Sequence, residues 1–116
     1  MKITHYSKID AKTYSGDNVQ GVKARIAIGK ADNAQNFCMR VFELSQGGYT
    51  PRHSHEWEHE IFFHKGKARV FCDGKWIEVE KGYVVFIPGN KEHQIKNIGN
   101  DPLIFICVIP SGVPEL

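Results

Sequence analysis

The sequence predicts an all-β domain, a sandwich or barrel of about eight short strands. Three observations carry this. Turn signals recur about every eight to ten residues from Phe37 onward, in Gly-Gly, Asp-Gly, Lys-Gly, Pro-Gly and Gly-Asn pairs. The segments between them are rich in β-branched and aromatic residues. No segment sustains a helical hydrophobic period over ten residues. At 116 residues the chain reads as one domain, 1–116, long enough to bury about two thirds of its unfolded surface.

Taken in order, residues 1–20 are polar and irregular, with Ser7, Asp10, Ser15, Gly16, Asp17 and Asn18 as breakers, so a short strand at most is expected there. VKARIAI (22–28) alternates as a strand does, and GKADNAQN (29–36) is turn chemistry. These 36 residues form an N-terminal arm to the core at about 37–110. The core reads as FCMRVFEL, a histidine-rich segment, EIFFHK, KARVFCD, KWIEVE, YVVFIP, HQIKNI and LIFICVIP. Separators fall at Gly47-Gly48, Lys65-Gly66, Asp73-Gly74, Lys81-Gly82, Pro88-Gly89 and Gly99-Asn100. Asp73-Gly74 between alternating segments is a tight hairpin signal.

Composition excludes several function classes. The formal charge is only +2, and no lysine or arginine cluster reaches the density of a nucleic-acid or membrane-surface footprint. No 18-residue apolar run exists to span a bilayer. The opening MKITHYSKID lacks the apolar core of a signal peptide, so a cytoplasmic location is expected. Cys38, Cys72 and Cys107 are odd in number and set in apolar runs, which reads as reduced thiols behaving as small hydrophobes.

The stretch GGYTPRHSHEWEHEIFFHKG (47–66) holds four of the six histidines, His53, His55, His59 and His64. On an extended strand, residues i and i+2 point the same way about 6.6 Å apart, so His53 and His55 can aim at one point. His59 shares their parity but would lie roughly 13 Å further along a straight strand. It can join them only if the chain folds back near Glu56-Trp57-Glu58. Neutral imidazole is the commonest protein metal ligand, and three converging histidines read as most of a metal site. His93, just beyond the Pro88-Gly89 turn, is a further candidate. Glu56, Glu58, Glu60 and His64 have the opposite parity and read as outward, solvated groups; His5 reads as a surface residue.

These residues carry a resemblance to the cupin superfamily, through both of its short motifs. Gly47, His53, His55, position 59 and Gly66 match the first, and Gly82, Pro88, His93 and Asn97 the second. Two positions depart from it: His59 stands where most cupins have glutamate, and Asn90 where the pattern has glycine. Glu60 does not replace the missing carboxylate, because the six-residue spacing to Gly66 is counted from His59. The resemblance implies a small jelly-roll barrel with a metal inside one end. It implies His53, His55, His59 and His93 as ligands, as in single-domain cupins with a four-histidine site. It also implies a homodimer paired through N-terminal strands. The ion expected is a divalent transition metal, manganese or iron first, with nickel, zinc or copper as alternatives.

Four neutral imidazoles leave the ion its full charge, and two positions stay open if it is six-coordinate. Tetrahedral zinc held by all four would have none. Pocket candidates are Arg40, Tyr49, Phe105, Cys107 and Ile109. Arg40 either points outward or is set in the pocket to hold a substrate carboxylate as a fork. Tyr49 follows Gly47-Gly48 near the barrel mouth, and the face of Phe105, Cys107 and Ile109 is expected to line the cavity. The function expected is a metal-dependent enzyme acting on a small oxygen-rich organic molecule. A dioxygenase-like oxidation comes first, and a decarboxylation or isomerisation next. The alternative is a non-catalytic binder of metal or small ligand, since cupin folds host both.

Overall fold

The computed structural model describes residues 1–116. Nine strands carry the fold: β1 (Lys12–Gly16), β2 (Val19–Ile28), β3 (Phe37–Tyr49), β4 (His59–Lys65), β5 (Lys67–Cys72), β6 (Lys75–Glu80), β7 (Val84–Ile87), β8 (His93–Asn97) and β9 (Leu103–Pro110). All pair antiparallel. One layer runs β1-β2-β3-β9-β4-β7, and the other runs β6-β5-β8. The layers join where Tyr49, at the end of β3, pairs with Lys96 on β8. The sheet therefore curls over itself as an all-β jelly-roll barrel. No helix is long and apolar enough to cross a membrane.

The turn chemistry explains the connections. Asp73 and Gly74 take φ of 52° and 78°, the left-handed pair that a two-residue hairpin requires, and they join β5 to β6. Gly47-Gly48, expected to end a strand, instead lies inside β3, which is 13 residues long. Gly47 has φ of 74°, and the register with β2 slips between Gln20 and Val22, so the chain bends there and stays paired. The histidine segment differs from expectation too. Between Tyr49 and His59 its only β pairing is the bridge of His53 to His93. Pro51 has no N–H to give a ladder, and the chain must turn before β4.

The barrel interior alternates as the sequence predicts. On β9, Leu103, Phe105, Cys107 and Ile109 point inward and are nearly fully buried. They pack with Leu44 of β3, Phe63 of β4 and Ala68 of β5 into the main core. Asn97 closes that end by donating to the carbonyls of Leu44, Ser45 and Asp101 at 3.0–3.1 Å. Outside the first layer, Tyr6 and Ile9 cover Ala27, Val41 and Ile104. The rest of that outer face stays apolar and open, with Phe37, Phe62, Val84 and Phe86 exposed. All three cysteines are free thiols.

Candidate metal centre

The four histidines come from three parts of the chain. His53 and His55 lie in the loop after β3, His59 is the first residue of β4, and His93 is the first residue of β8. The bend at Glu56–Glu58 brings the loop back on itself, as the spacing requires. Gly89 makes room for it: a Cβ there would collide with the Glu56 carbonyl oxygen. Next to it, Asn90 takes φ of 65°, the left-handed conformation that Asn tolerates where glycine is usual, and its N–H donates to the His55 carbonyl at 2.6 Å. The reciprocal bonds between His53 and His93, at 3.2 and 2.9 Å, tie the two halves of the site.

Possible ligand nitrogens of His53, His55 and His93 lie within 4.8 Å of one another. His59 reaches the same cluster, its Nε2 being 2.8 Å from Nε2 of His55 and its ring 4.8 Å from that of His93. Trp57 stacks flat on His55, 4.1 Å between centroids at 8°, and fixes its plane. Burial holds all four imidazoles below the ordinary histidine range. His53 falls to about 4, with its histidine neighbours and Arg40 adding to the effect, and His59 to about 2, with Arg40 next in importance. His55 and His93 are lowered by burial as well, partly offset by carbonyl hydrogen bonds. The rings are therefore neutral at pH 7, the form a metal needs.

Two of the tautomers follow from geometry. The Nδ1–H of His55 donates to the Trp57 carbonyl at 2.9 Å, and that of His93 to the Lys91 carbonyl at 2.8 Å. Each ring then turns an unprotonated Nε2 toward the cluster. Nε2 of His93 is buried with no hydrogen-bond partner. An orphaned lone pair of this kind is costly unless something electrophilic meets it. The one ring–ring nitrogen distance of this length, 2.8 Å between His55 and His59, is near the roughly 2.9 Å of cis nitrogens bound at about 2.0–2.1 Å on a six-coordinate ion. The His53, His55 and His93 nitrogens form the looser group. The residues present fit a divalent metal.

The cluster opens into a cavity of about 450 Å³ between the two layers. No aspartate or glutamate lines it. Arg40 does, and of the two orientations open to it the structure takes the inward one. It is 7% exposed, donates from Nη1 to the Glu115 carbonyl at 3.1 Å, and leaves Nε without a partner. Phe105 and Cys107 also line the cavity, as expected. Tyr49 and Ile109 do not. Tyr49 is paired with Lys96, and directly opposed residues share a face, so its ring lies outside, 5.9 Å from the Lys96 ammonium. Ile109 lies one inward position beyond Cys107 and is packed in the core. Glu60 and His64 on β4 are exposed, in keeping with their parity, and Glu56 and Glu58 are exposed in the loop before it.

Sequence reasoning missed several walls of this cavity: Tyr14, Val19 and Val22 from the N-terminal strands, Trp57, and Pro114 and Leu116 from the C-terminal residues. Trp57 carried a signal, as an aromatic inside the turn that had to bring His59 back. The others depend on long-range packing.

Residues 40–109 match the family model of the Cupin_2 type, described as a cupin domain. The chain belongs to the cupin family. An oxalate-binding protein of Thermotoga maritima is 32% identical over 79% of this chain and 81% of its own length. A glucose-6-phosphate isomerase of Pyrococcus furiosus is 44% identical over 40% of this chain, and the match spans only 28% of that enzyme. Among solved structures, the polyketide cyclase RemF from Streptomyces resistomycificus superposes with a TM-score of 0.86 at 31% identity, over 95% of this cupin and 79% of that chain. Cupins commonly bind a divalent metal, and this one gathers histidines where such an ion would sit.

Proposed function

We propose that this cupin is a metal-dependent enzyme acting on a small, anionic, oxygen-rich organic molecule. His53, His55, His59 and His93 would hold a divalent transition metal, with manganese or iron favoured. The observation that carries the reading is the set of imidazoles converging at the mouth of a largely apolar cavity without Asp or Glu, His59 and His93 buried and His53 exposed, with an orphaned buried nitrogen on His93. When bound, the ion would supply Lewis-acid polarisation of a substrate oxygen and a template for its orientation.

The chain's own residues do the rest. Four neutral ligands leave the centre its full positive charge, and the buried Arg40 guanidinium adds to it in a site of low dielectric. An anionic oxygen is the complementary partner. Phe42, Ile61, Ile87 and Trp57 give the carbon skeleton an apolar wall and keep water out, while Thr50 and Ser54 offer hydroxyls at the rim. Decarboxylation, isomerisation or cyclisation of a carboxylated or enolisable substrate is the reaction class we favour, since the relatives that carry functional names include an isomerase and a cyclase. A dioxygenase-like oxidation, for which manganese or iron would be redox-competent, would need dioxygen as co-substrate besides.

The test is turnover by protein loaded in turn with manganese, iron, nickel and zinc, using small keto and hydroxy acids with and without oxygen. Product that disappears with the chelated protein and in His93→Ala supports the reading. Metal-free protein of equal activity overturns it. One observation favours a second reading, a non-catalytic binder: the likeness to an oxalate-binding protein along most of both chains. Under that reading oxalate raises the melting temperature of the metal-loaded protein and is recovered unchanged.

We also propose that a second copy of the chain covers the exposed apolar face of β4 and β7. There Phe62, Val84 and Phe86 adjoin Ile106 and Val108, and no charge but Glu60 interrupts them. The cupin resemblance implies the N-terminal strands for this role, and β1, which pairs only with β2, leaves its outer edge free for it. Light scattering on Phe62→Asp and Phe86→Asp distinguishes the sites: the outer face is wrong if both variants keep the wild-type assembly.

A further inference from the structure

His59 is held differently from the other histidines, and the difference bears on whether it binds metal at all. His55 and His93 each donate Nδ1–H to a backbone carbonyl, an acceptor that cannot become a donor. Nδ1 of His59 faces two side chains instead: Sγ of Cys107 at 3.0 Å and Nη2 of Arg40 at 3.3 Å. Those two touch each other, Nη2 donating to Sγ at 3.0 Å. All three groups are buried. The triangle follows from register, because Arg40 on β3 is directly opposite Cys107 on β9, and Cys107 pairs on its other side with Ile61, two residues after His59.

The hydrogen positions admit two arrangements. In one, Nδ1 of His59 accepts, from Arg40 or from the thiol, so the ring proton sits on Nε2 and donates to Nε2 of His55 at 2.8 Å. His59 is then no ligand. In the other, Nδ1 carries the proton and donates it to Sγ, freeing Nε2 for a metal. Guanidinium has no acceptor, so Arg40 supports only the first arrangement. A thiol can donate or accept and supports both.

Resting on the metal-binding reading above, we propose that Cys107 is a positioning residue that decides whether His59 serves as the fourth metal ligand. His53, His55 and His93 form a standing three-histidine site. His59 joins it only when Sγ accepts the hydrogen bond of its Nδ1–H, against the opposing donor Arg40.

The experiment is a double-mutant cycle read by metal affinity and by counting coordinated imidazoles in the pulsed EPR spectrum of the copper(II)-loaded protein. Wild type should show four imidazoles. Cys107→Ala leaves Arg40 as the only polar neighbour of Nδ1; it should show three imidazoles and a copper affinity about 10- to 100-fold weaker, the usual cost of removing a ligand's hydrogen-bond partner. Cys107→Ser, whose hydroxyl also accepts, should keep four. In a His59→Ala background, Cys107→Ala should change neither quantity, because nothing remains for it to position. Arg40→Met added to Cys107→Ala removes the opposing donor and should return the fourth imidazole. Four imidazoles in Cys107→Ala, or an equal loss of affinity with His59 absent, would overturn the proposal. If Cys107→Ala does not fold, the serine variant decides: three imidazoles there overturn it also. Failure of wild type to bind copper(II) or any other divalent ion would sink the metal reading itself, a separate outcome.

Discussion

The two ends of this barrel are built from the same strands and obey opposite rules. At the closed end, Leu44, Phe63, Ala68 and Leu103 are fully buried, and the one polar side chain among them, Asn97, spends its amide on three carbonyls and accepts the Gly99 N–H. At the open end, a few residues along β3, β4 and β9, the inward positions are Arg40, His59 and Cys107, and His93 faces them from β8. Three polar atoms lining the cavity there, the Tyr14 hydroxyl, Nε of Arg40 and Nε2 of His93, are buried without partners, against one elsewhere, Nε of Arg69 on β5. The contrast teaches where stability is stored and where it has been given up: unsatisfied buried groups are destabilising, and they gather where a ligand can satisfy them.

Substitutions at each end should therefore fail in different ways. Phe63→Ala empties a fully buried site and should cost about 3–5 kcal/mol in denaturant unfolding, while the folded fraction keeps its imidazole count. His93→Ala should do the reverse. Removing one of the four proposed ligands should weaken metal binding about 100- to 1000-fold, a quarter share of the ~10–16 kcal/mol of structural zinc sites. The metal-free protein should unfold at a nearly unchanged temperature, since the loss of the orphaned Nε2 offsets the lost bond from Nδ1–H to the Lys91 carbonyl. Asn97→Ala strands carbonyls of the closed end and should cost about 1–3 kcal/mol with metal affinity intact. A result in which Phe63→Ala and His93→Ala both lost metal and stability together would erase the distinction between the ends.

A further effect is expected with pH. The site histidines are held below their unfolded value near 6.5, His53 to about 4. As pH falls, the unfolded chain takes up protons that the folded metal-free chain refuses, so stability is complete above pH 6.5 and erodes between there and about 4. Melting temperatures of stripped protein across that window should decline, and His53→Ala should flatten the slope. Closed-end variants should keep the wild-type slope.

The strands of the closed end were legible in the sequence because local chemistry dictates them. The alternation in KARVFC, the apolar run LIFICVIP as a strand covered on both faces, and the turn at Asp73-Gly74 all survive in the structure. The site was legible in part. The parity of His53, His55 and His59 and the need for a bend at Glu56–Glu58 placed the rings, although the segment is a pinned loop and not the strand that parity assumes. Tyr49 was misplaced because the bend at Gly47-Gly48 bends β3 without ending it, which no propensity reveals. Cys107 read as a small hydrophobe; its place between Arg40 and His59 exists only through the register of three strands distant in sequence.

Gly89 carries a consequence for how changes in this chain should be judged. It touches no ring and contributes no ligand atom, yet the loop bearing His53 and His55 can approach the loop ahead of His93 only because position 89 has no side chain. Alanine there would wedge the two loops apart and scatter the imidazoles while the strands stayed paired. A protein could in this way lose its chemistry through the least reactive residue in it, and an inventory of ligand positions would record nothing amiss.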